Sequence, residues 1–456
     1  MLTAPPQYKH QEYTVEFIKT HPRVLDLSDP GVGKTRPVID AFYERRLNGG
    51  GKMLAIAPKS ILQPAWGDDI EKFSPNCRYV IATATNRAKA FEIDADIYIT
   101  NHDAVRWLLK HPEVLEGFDT VAIDESTAFK NPQSQRSKAI RSLIDLFEYR
   151  ECMTGTPNSN GILNIWHQAF LIDNGERLGT NYYQFRASVC APEQVGPGRD
   201  MIKWVDKPGA EEAVAALLAD ITVRHKFEEC HDIPRNKVSD IYINLNPKHR
   251  KMYEQLKEDA ILELQDAQVS AVHAGVLTNK LLQLTSGAVY NTDGGASLID
   301  TDRYELIIDL VEQRESCLVA FNWTHQRDQL MDLATKRGIS FAVIDGSVKD
   351  ADRIKAVNDF QNGLIKVIFA HPASAAHGLT LTKGTTTIWS SAVYDAEKFE
   401  QFNRRIYRAG QTRKTETILI TARDTIEEQV FEKMKSKHHK MITLLDLLQI
   451  PTEEAA

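Results

Sequence analysis

RVLDLSDPGVGKTRPVIDAFYERRL, residues 23–47, runs from an apolar stretch through a glycine-punctuated turn into a helical pattern. RVLDLS reads as a strand, and the segment from Lys34 reads as a helix. Between them, Gly31, Val32 and Gly33 form a turn whose glycines let the backbone curl until its N–H groups face a phosphate. Lys34 then reaches terminal phosphates and Thr35 offers a hydroxyl to Mg²⁺. The strict phosphate-loop pattern has glycine where this chain has Ser28, and an ordinary flexible turn is the alternative. Strand, Gly-x-Gly-Lys-Thr and helix in that order favour phosphate binding.

The same alternation extends outward. KMLAIAP, RYVIAT, DIYITN, TVAIDE and YRECMTG follow as short apolar runs separated by helical patterns, up to about residue 157. Continuous Val/Ile/Ala/Leu runs between helices indicate a parallel sheet covered on both faces. Residues 160–235 are expected to be mostly helical, KVSDIYINL after Pro234 to be a strand, and 247–285 to be a long helical stretch. The turn-rich YNTDGGAS, 290–297, is the expected linker. Alternation restarts with SCLVAFN, SFAVIDG, KVIFAHP, TTTIWSS and TETILIT, and a helix begins near Thr425. The expected fold class is α/β: two parallel-sheet lobes in tandem with a helical extension between them. The expected divisions are 1–235, an insertion and linker at 236–296, and 297–456. Strand ends of both lobes are expected to line a cleft.

Composition fits such a chain and narrows its class. At 456 residues it exceeds one ordinary core, and with 42% hydrophobic and 26% charged residues it is globular rather than disordered. No apolar run approaches the ~20 residues needed to span a bilayer, and the N-terminus has neither a basic region nor an apolar one. The expectation is therefore a soluble protein that is not secreted and does not enter a membrane. Five scattered cysteines without a CxxC pair support neither a disulfide framework nor a zinc knuckle. Cys190, His225, Cys230 and His231 form a loose set for which ordinary packing is the preferred reading. A net charge of −7 excludes a wholly basic surface but not a local basic track.

Hydrolysis of a bound nucleotide needs more than a phosphate loop: a carboxylate near Mg²⁺ and a base that orients water. Asp124 and Glu125, at the end of TVAIDESTAFKN, residues 120–131, suit these two roles. Two adjacent carboxylates in a cleft are costly without a cation between them and the phosphates. TGTP, Thr154–Pro157, ends the next apolar run. Near the other end of the chain, QFNRRIYRAGQ places Arg405 and Arg408 three apart, on one helix face. Guanidiniums facing a γ-phosphate stabilise the charge that develops in transfer.

In order, QYKHQ, DPGVGKT, APKSILQPAW, ITNHD, IDESTAFKN, TGTPNSN, LVAFN, AHPASAAHGLTLT and QFNRRIYRAGQ resemble the motif series of helicase superfamily 2. More narrowly, the chain is similar to the Swi/Snf-like double-stranded-DNA translocases. Their DExxxxKN pattern matches Asp124, Glu125, Lys130 and Asn131, and their QxxxRxxRxGQ pattern matches Gln401, Arg405, Arg408, Gly410 and Gln411. DTIEEQVFEKMKSK resembles the family's closing segment, so the resemblance covers residues 7 to 437. It implies two RecA-like lobes and hydrolysis of ATP, with Mg²⁺, coupled to stepping along duplex DNA. By the same resemblance Gln11 contacts adenine, Lys34, Glu125, Arg405 and Arg408 are catalytic, and Thr35 and Asp124 hold the metal. Gly378 falls where the family couples nucleotide state to DNA contact. Nucleic-acid phosphates would be met by Lys59, Ser60, Asn101, His102, Asn322 and Ser374, with Lys130 and Lys280 as further candidates.

This chain departs from the family pattern at Thr127, where histidine is usual, and at Thr380, where asparagine is common. Neither change removes a phosphate, metal or water ligand; both fall where nucleotide and nucleic-acid sites communicate. The expected protein is a bare motor of the kind carried by phages and mobile elements, placed in the cytoplasm, at the nucleoid or in the host cytoplasm. Branched or fork DNA is a further candidate partner. Two rivals remain: a strand-separating DNA or RNA helicase, and a nucleotide-gated DNA-binding clamp.

Overall fold

The computed structural model describes residues 5–158, 161–194, 202–265, 271–290, 295–375 and 379–447. It resolves into two compact units, one of residues 1–193, 203–232 and 437–456, the other of 194–202 and 233–436.

In the first unit the six expected apolar runs form β1 (Arg23–Asp26), β2 (Lys52–Ala57), β3 (Tyr79–Ala82), β4 (Ile97–Asn101), β5 (Phe118–Asp124) and β6 (Tyr149–Met153). A two-stranded hairpin of β7 (Cys190–Gln194) and β8 (Ile202–Asp206) follows, and β9 (Thr222–Val223) returns to the main sheet. That sheet is parallel throughout, in the order β3-β4-β2-β5-β6-β1-β9. Side chains of a strand point alternately to its two faces, and both faces here are apolar. Leu54, Ile56, Val121, Ile123 and Cys152 enter one core, while Met53, Ala55, Ala57, Ala122 and Met153 enter the other.

The second unit contains β10 (Lys237–Ile243), β11 (Ala288–Tyr290), β12 (Ala296–Leu298), β13 (Cys317–Ala320), β14 (Phe341–Ile344), β15 (Val367–Ala370), β16 (Thr386–Trp389) and β17 (Glu416–Ala422). Its parallel sheet runs β10-β17-β16-β13-β15-β14 and is again buried on both faces. The closing segment is anchored by a buried ion pair, Arg303 Nη2 to Glu427 Oε2 at 2.8 Å. Glu427 also accepts from the Ala422 N–H and the Thr285 hydroxyl, so the buried charge is solvated by protein.

Residues 160–235 are less helical than expected, because they contain β7, β8 and β9. In β7 the residues Ala191, Pro192, Glu193 and Gln194 are all exposed, so no alternating pattern marks the strand. Within 236–296, read above as insertion and linker, β10 is the edge strand of the second sheet. Helices Pro247–Gln265 and Ala271–Thr285 follow, and β11 pairs antiparallel with β12. All five cysteines are free thiols, and no helix among the described residues is long and apolar enough to cross a membrane.

Candidate active site

Because β5, β6 and β1 are neighbours in a parallel sheet, the segments that leave their carboxyl ends lie side by side. These segments are the DE pair, the TGTP turn and the glycine loop. In the loop Gly31 and Gly33 have φ of 91° and 81°, a region in which residues with a Cβ are strained. Gln11, on the helix Lys9–Thr20, closes over it: its Nε2 donates to Gly33 O at 3.0 Å, and a Cβ on Gly33 would stand 2.7 Å from that nitrogen. Val32 O meets His10 Nε2 at 2.9 Å. Lys34 Nζ donates to Ser28 O at 2.9 Å and Asp29 O at 3.2 Å, which holds the ammonium across its own loop. Thr35 opens the helix Thr35–Leu47.

Ser28, the departure from the strict loop pattern, has a structural task. Its N–H donates to Asp26 Oδ1, and its hydroxyl accepts the His225 N–H at 3.1 Å. Asp29 accepts from the Phe227 N–H and pairs with Arg224 at 2.7 Å. The chain beyond β9 therefore braces the loop from behind.

Asp124 ends β5 and is buried; Glu125 follows in the left-handed region with φ 50°, ψ 56°. A non-glycine residue there is uncommon and marks a position held by its surroundings. Asp124 Oδ1 accepts the Glu125 N–H at 2.9 Å and Oδ2 accepts the Trp66 indole N–H at 3.1 Å. Burial, reinforced by the Glu125 charge, pushes the Asp124 carboxyl up to about 6, against the pull of Lys34 and the indole. Ser126 and Gln168 tie this pair to the next turn. Ser126 Oγ donates to Gln168 Oε1 at 2.7 Å, and Gln168 Nε2 donates to Pro157 O at 2.8 Å. Thr154 N donates to Asp26 O, and a Cβ on Gly155 would stand 2.4 Å from Pro30 Cδ, so the TGTP turn lies flat on the glycine loop. The buried Thr156 hydroxyl has no hydrogen-bond partner among the described residues.

These groups fit a magnesium nucleotide. A glycine cradle, a lysine held over it, a threonine hydroxyl and a carboxylate held up by burial are the donor set such a ligand uses. No group of three or more His, Cys, Asp or Glu side chains among the described residues is placed to hold a metal by itself. The loose Cys190, His225, Cys230, His231 set is not a cluster: Cys190 meets Asp206, whereas His225 Nε2 meets the Thr14 hydroxyl at 2.9 Å.

In the second unit the helix Ala396–Asn403 ends before both arginines, so they do not share a helix face as their spacing suggested. The Arg404 N–H already splits between Glu400 O and Phe402 O, and Gly410 turns the chain at φ 92°. A shared acceptor draws the two together instead: Arg405 Nη1 and Arg408 Nη1 both donate to Leu379 O, at 3.4 and 2.8 Å. Arg405 is also held by Gln401 O through its Nε at 2.7 Å. Gln411 rivets the segment, its Nε2 reaching Thr382 O, Gly384 O and Ile406 O and its Oε1 accepting from the Thr412 and Arg413 N–H groups. Gly378 lies outside the described residues.

The nucleic-acid candidates divide by exposure. In the first unit Lys59 and Ser60 are exposed in the turn after β2, whereas Lys130 and Asn101 are half-buried and the latter accepts from Arg87. His102 is buried, with Nε2 on Asp124 O at 2.7 Å, so it faces the carboxylate segment. In the second unit Lys280 is exposed and Ser374 half-buried, while the Asn322 amide donates to Ser391 Oγ and Ala392 O. Sequence reading missed Trp66, Gln168 and Gln11's contact with Gly33. Each is a long-range hydrogen bond that no local pattern announces.

Beneath the site, Glu151 of β6 is buried, and its Oε2 has no hydrogen-bond partner among the described residues. Burial pushes its carboxyl from 4.5 to about 7, although Arg45 opposes. The folded state thus binds this proton more tightly than the unfolded one. Its contribution is complete below about pH 4.5 and is lost as pH rises towards 7, by at most about 3 kcal/mol at roughly 1.4 kcal/mol per pH unit. Thermal melting of Glu151→Gln against the parent should show a gap that shifts in favour of the variant between pH 5 and 8. A gap independent of pH contradicts this.

A family profile described as SNF2-related domain matches residues 20–287, and one described as helicase conserved C-terminal domain matches 302–410. "Putative protein p41" of Acyrthosiphon pisum secondary endosymbiont phage 1 is 29% identical over 440 residues, covering 92% of this chain and 93% of that protein. An "Uncharacterized ATP-dependent helicase" of Mycoplasma pneumoniae and the "Chromodomain-helicase-DNA-binding protein 1-like" of Mus musculus are each 24% identical across 89% of this chain. The chain spans only 38% and 46% of these two longer relatives. A solved "Sulfolobus solfataricus SWI2/SNF2 ATPase core in complex with dsDNA" aligns at 21% identity, covering 99% of this chain and 96% of that one, with a TM-score of 0.46. With a phosphate loop, a carboxylate pair and an arginine segment in two parallel-sheet units, and with the SNF2-related profile spanning more than half its length, the chain belongs to the SNF2-related family of helicase superfamily 2, an ATP hydrolase by class.

Proposed function

We propose that this protein couples ATP hydrolysis to translocation along double-stranded DNA. The observation that carries the reading is the bracing of the glycine loop, the Asp124–Glu125 pair and the TGTP turn into one assembly, in a chain of the SNF2-related family. Lys34 and Thr35 take the phosphates and metal, Asp124 holds Mg²⁺, and Glu125 orients the attacking water. Mg²⁺ supplies charge neutralisation at the β- and γ-phosphates. Arg405 and Arg408 stabilise transferring charge, while Gln11 fixes the base and Gly378 couples nucleotide state to DNA contact. Exposed Lys59, Ser60 and Lys280 meet phosphates, which positions the duplex without reading its sequence. The partition into residues 1–235, 236–296 and 297–456 belongs to the same reading.

Strand separation is the second reading, and the exposed part of the β7–β8 pair, residues 191–194 and 202–203, is the feature in its favour. ATPase rates with no nucleic acid, duplex DNA, single-stranded DNA, forked DNA and RNA decide between them. Translocation predicts strong stimulation by blunt duplex together with displacement of a third strand from a triplex. Stimulation by single strands or forks alone supports separation, and stimulation by duplex without displacement supports a clamp.

A further inference from the structure

Asp124 is held by side chains from two turns that also carry proposed phosphate contacts. After β2 the chain makes a 3₁₀ turn, Lys59–Ile61, and then a π-helical turn, Leu62–Gly67. Such wide turns are rare, and they re-aim side chains that follow. Here the turn carries Trp66 inward until it is fully buried, with its Nε1 3.1 Å from Asp124 Oδ2. After β4, His102 brings Nε2 to within 2.7 Å of Asp124 O, and its ring meets Phe129 edge-on at 5.3 Å. Lys59 and Ser60 are exposed at one end of the first segment, and the indole bonded to the carboxylate is at the other.

We infer that Trp66 is a positioning residue that carries occupancy of the Lys59–Ser60 turn by nucleic-acid phosphates to the metal-holding carboxylate Asp124. The inference rests on the proposed roles of Asp124 and of Lys59 and Ser60. An indole is a donor with a single N–H and no alternative acceptor to offer, so its bond to Oδ2 is either made or lost. Hydrogen bonds weaken steeply with misalignment, and a buried carboxylate oxygen left without its donor is costly. A small displacement of residues 59–67 therefore changes which way Oδ2 is presented. His102 holds the Asp124 backbone while this happens, so the side chain rather than the strand end takes up the change.

Linkage makes the consequence measurable. If duplex binding alters the affinity for a divalent cation with nucleotide, that ligand alters duplex affinity by the same factor, usually about 5- to 150-fold. The test measures Mn²⁺ binding by electron paramagnetic resonance with ADP present, with and without duplex DNA. Duplex affinity is measured by fluorescence anisotropy with and without Mn²⁺ and ADP. Trp66→Phe keeps an aromatic ring and removes the N–H. Replacement of Trp66 by benzothienylalanine removes only the N–H from an isosteric ring, which covers the case in which Trp66→Phe does not fold. The expected result is a coupling factor that falls at least fivefold, towards one, in a variant that still unfolds cooperatively and keeps cation-free ADP affinity near the parent's. A coupling factor within twofold of the parent's in a folded variant overturns the inference. Absence of coupling in the parent itself overturns the proposed function as well, so the two failures are distinguishable.

Discussion

Glu125→Gln should bind ATP as the parent does and turn it over about 10²- to 10⁴-fold more slowly, the range over which a positioned general base contributes. The substitution preserves shape and the left-handed backbone but removes the charge proposed to orient water. It also removes the neighbouring negative charge that helps push the Asp124 carboxyl up. Single-turnover hydrolysis beside an equilibrium titration of nucleotide separates the two effects. A variant with parental turnover would refute the role of Glu125.

The loss expected of Arg408→Ala is larger still, about 10³- to 10⁵-fold in turnover with nucleotide affinity changed far less. Of the two arginines, Arg408 is the more exposed, whereas Arg405 is buried and also held by Gln401 O. Arg408 is therefore the one with reach. Its shared acceptor, Leu379 O, belongs to the segment that includes Thr380, so the guanidinium and that departure from the family pattern sit on one stretch of chain. Lysine should not rescue, because a point charge does not reproduce the planar fork that bonds a carbonyl and a phosphate together. Turnover within tenfold of the parent's, with affinity unchanged, contradicts the assignment.

Most of the sheet architecture was legible because a doubly covered parallel strand writes itself as an unbroken apolar run. All eleven such runs, from RVLDLS to TETILIT, became strands. β7 was not legible, since beyond the buried Cys190 its residues are all exposed and no buried face imposes an alternating pattern. The helix through Arg405 and Arg408 was over-read for a related reason: spacing tells which residues share a face only where the helix persists, and here it stops at Asn403. At the candidate active site the glycine loop, the carboxylate pair and the TGTP turn were visible in the sequence as types and order, because phosphate and metal chemistry admits few side chains. The bracing was not. Ser28 to His225 spans 197 residues and Ser126 to Gln168 spans 42, and neither partner carries a local signature. His102 illustrates the same limit, a residue expected outward on the DNA track and found bonded inward to Asp124.

The backbone at Glu125 carries one more implication. A residue with a Cβ held at φ 50° sacrifices about 1–2 kcal/mol that glycine would not. Directed evolution for heat resistance alone would thus drift towards glycine at 125 and discard the carboxylate proposed to orient water. Any thermostable descendant of this chain must be selected for turnover in the same round, or its most fragile conformation will be the first thing it sheds.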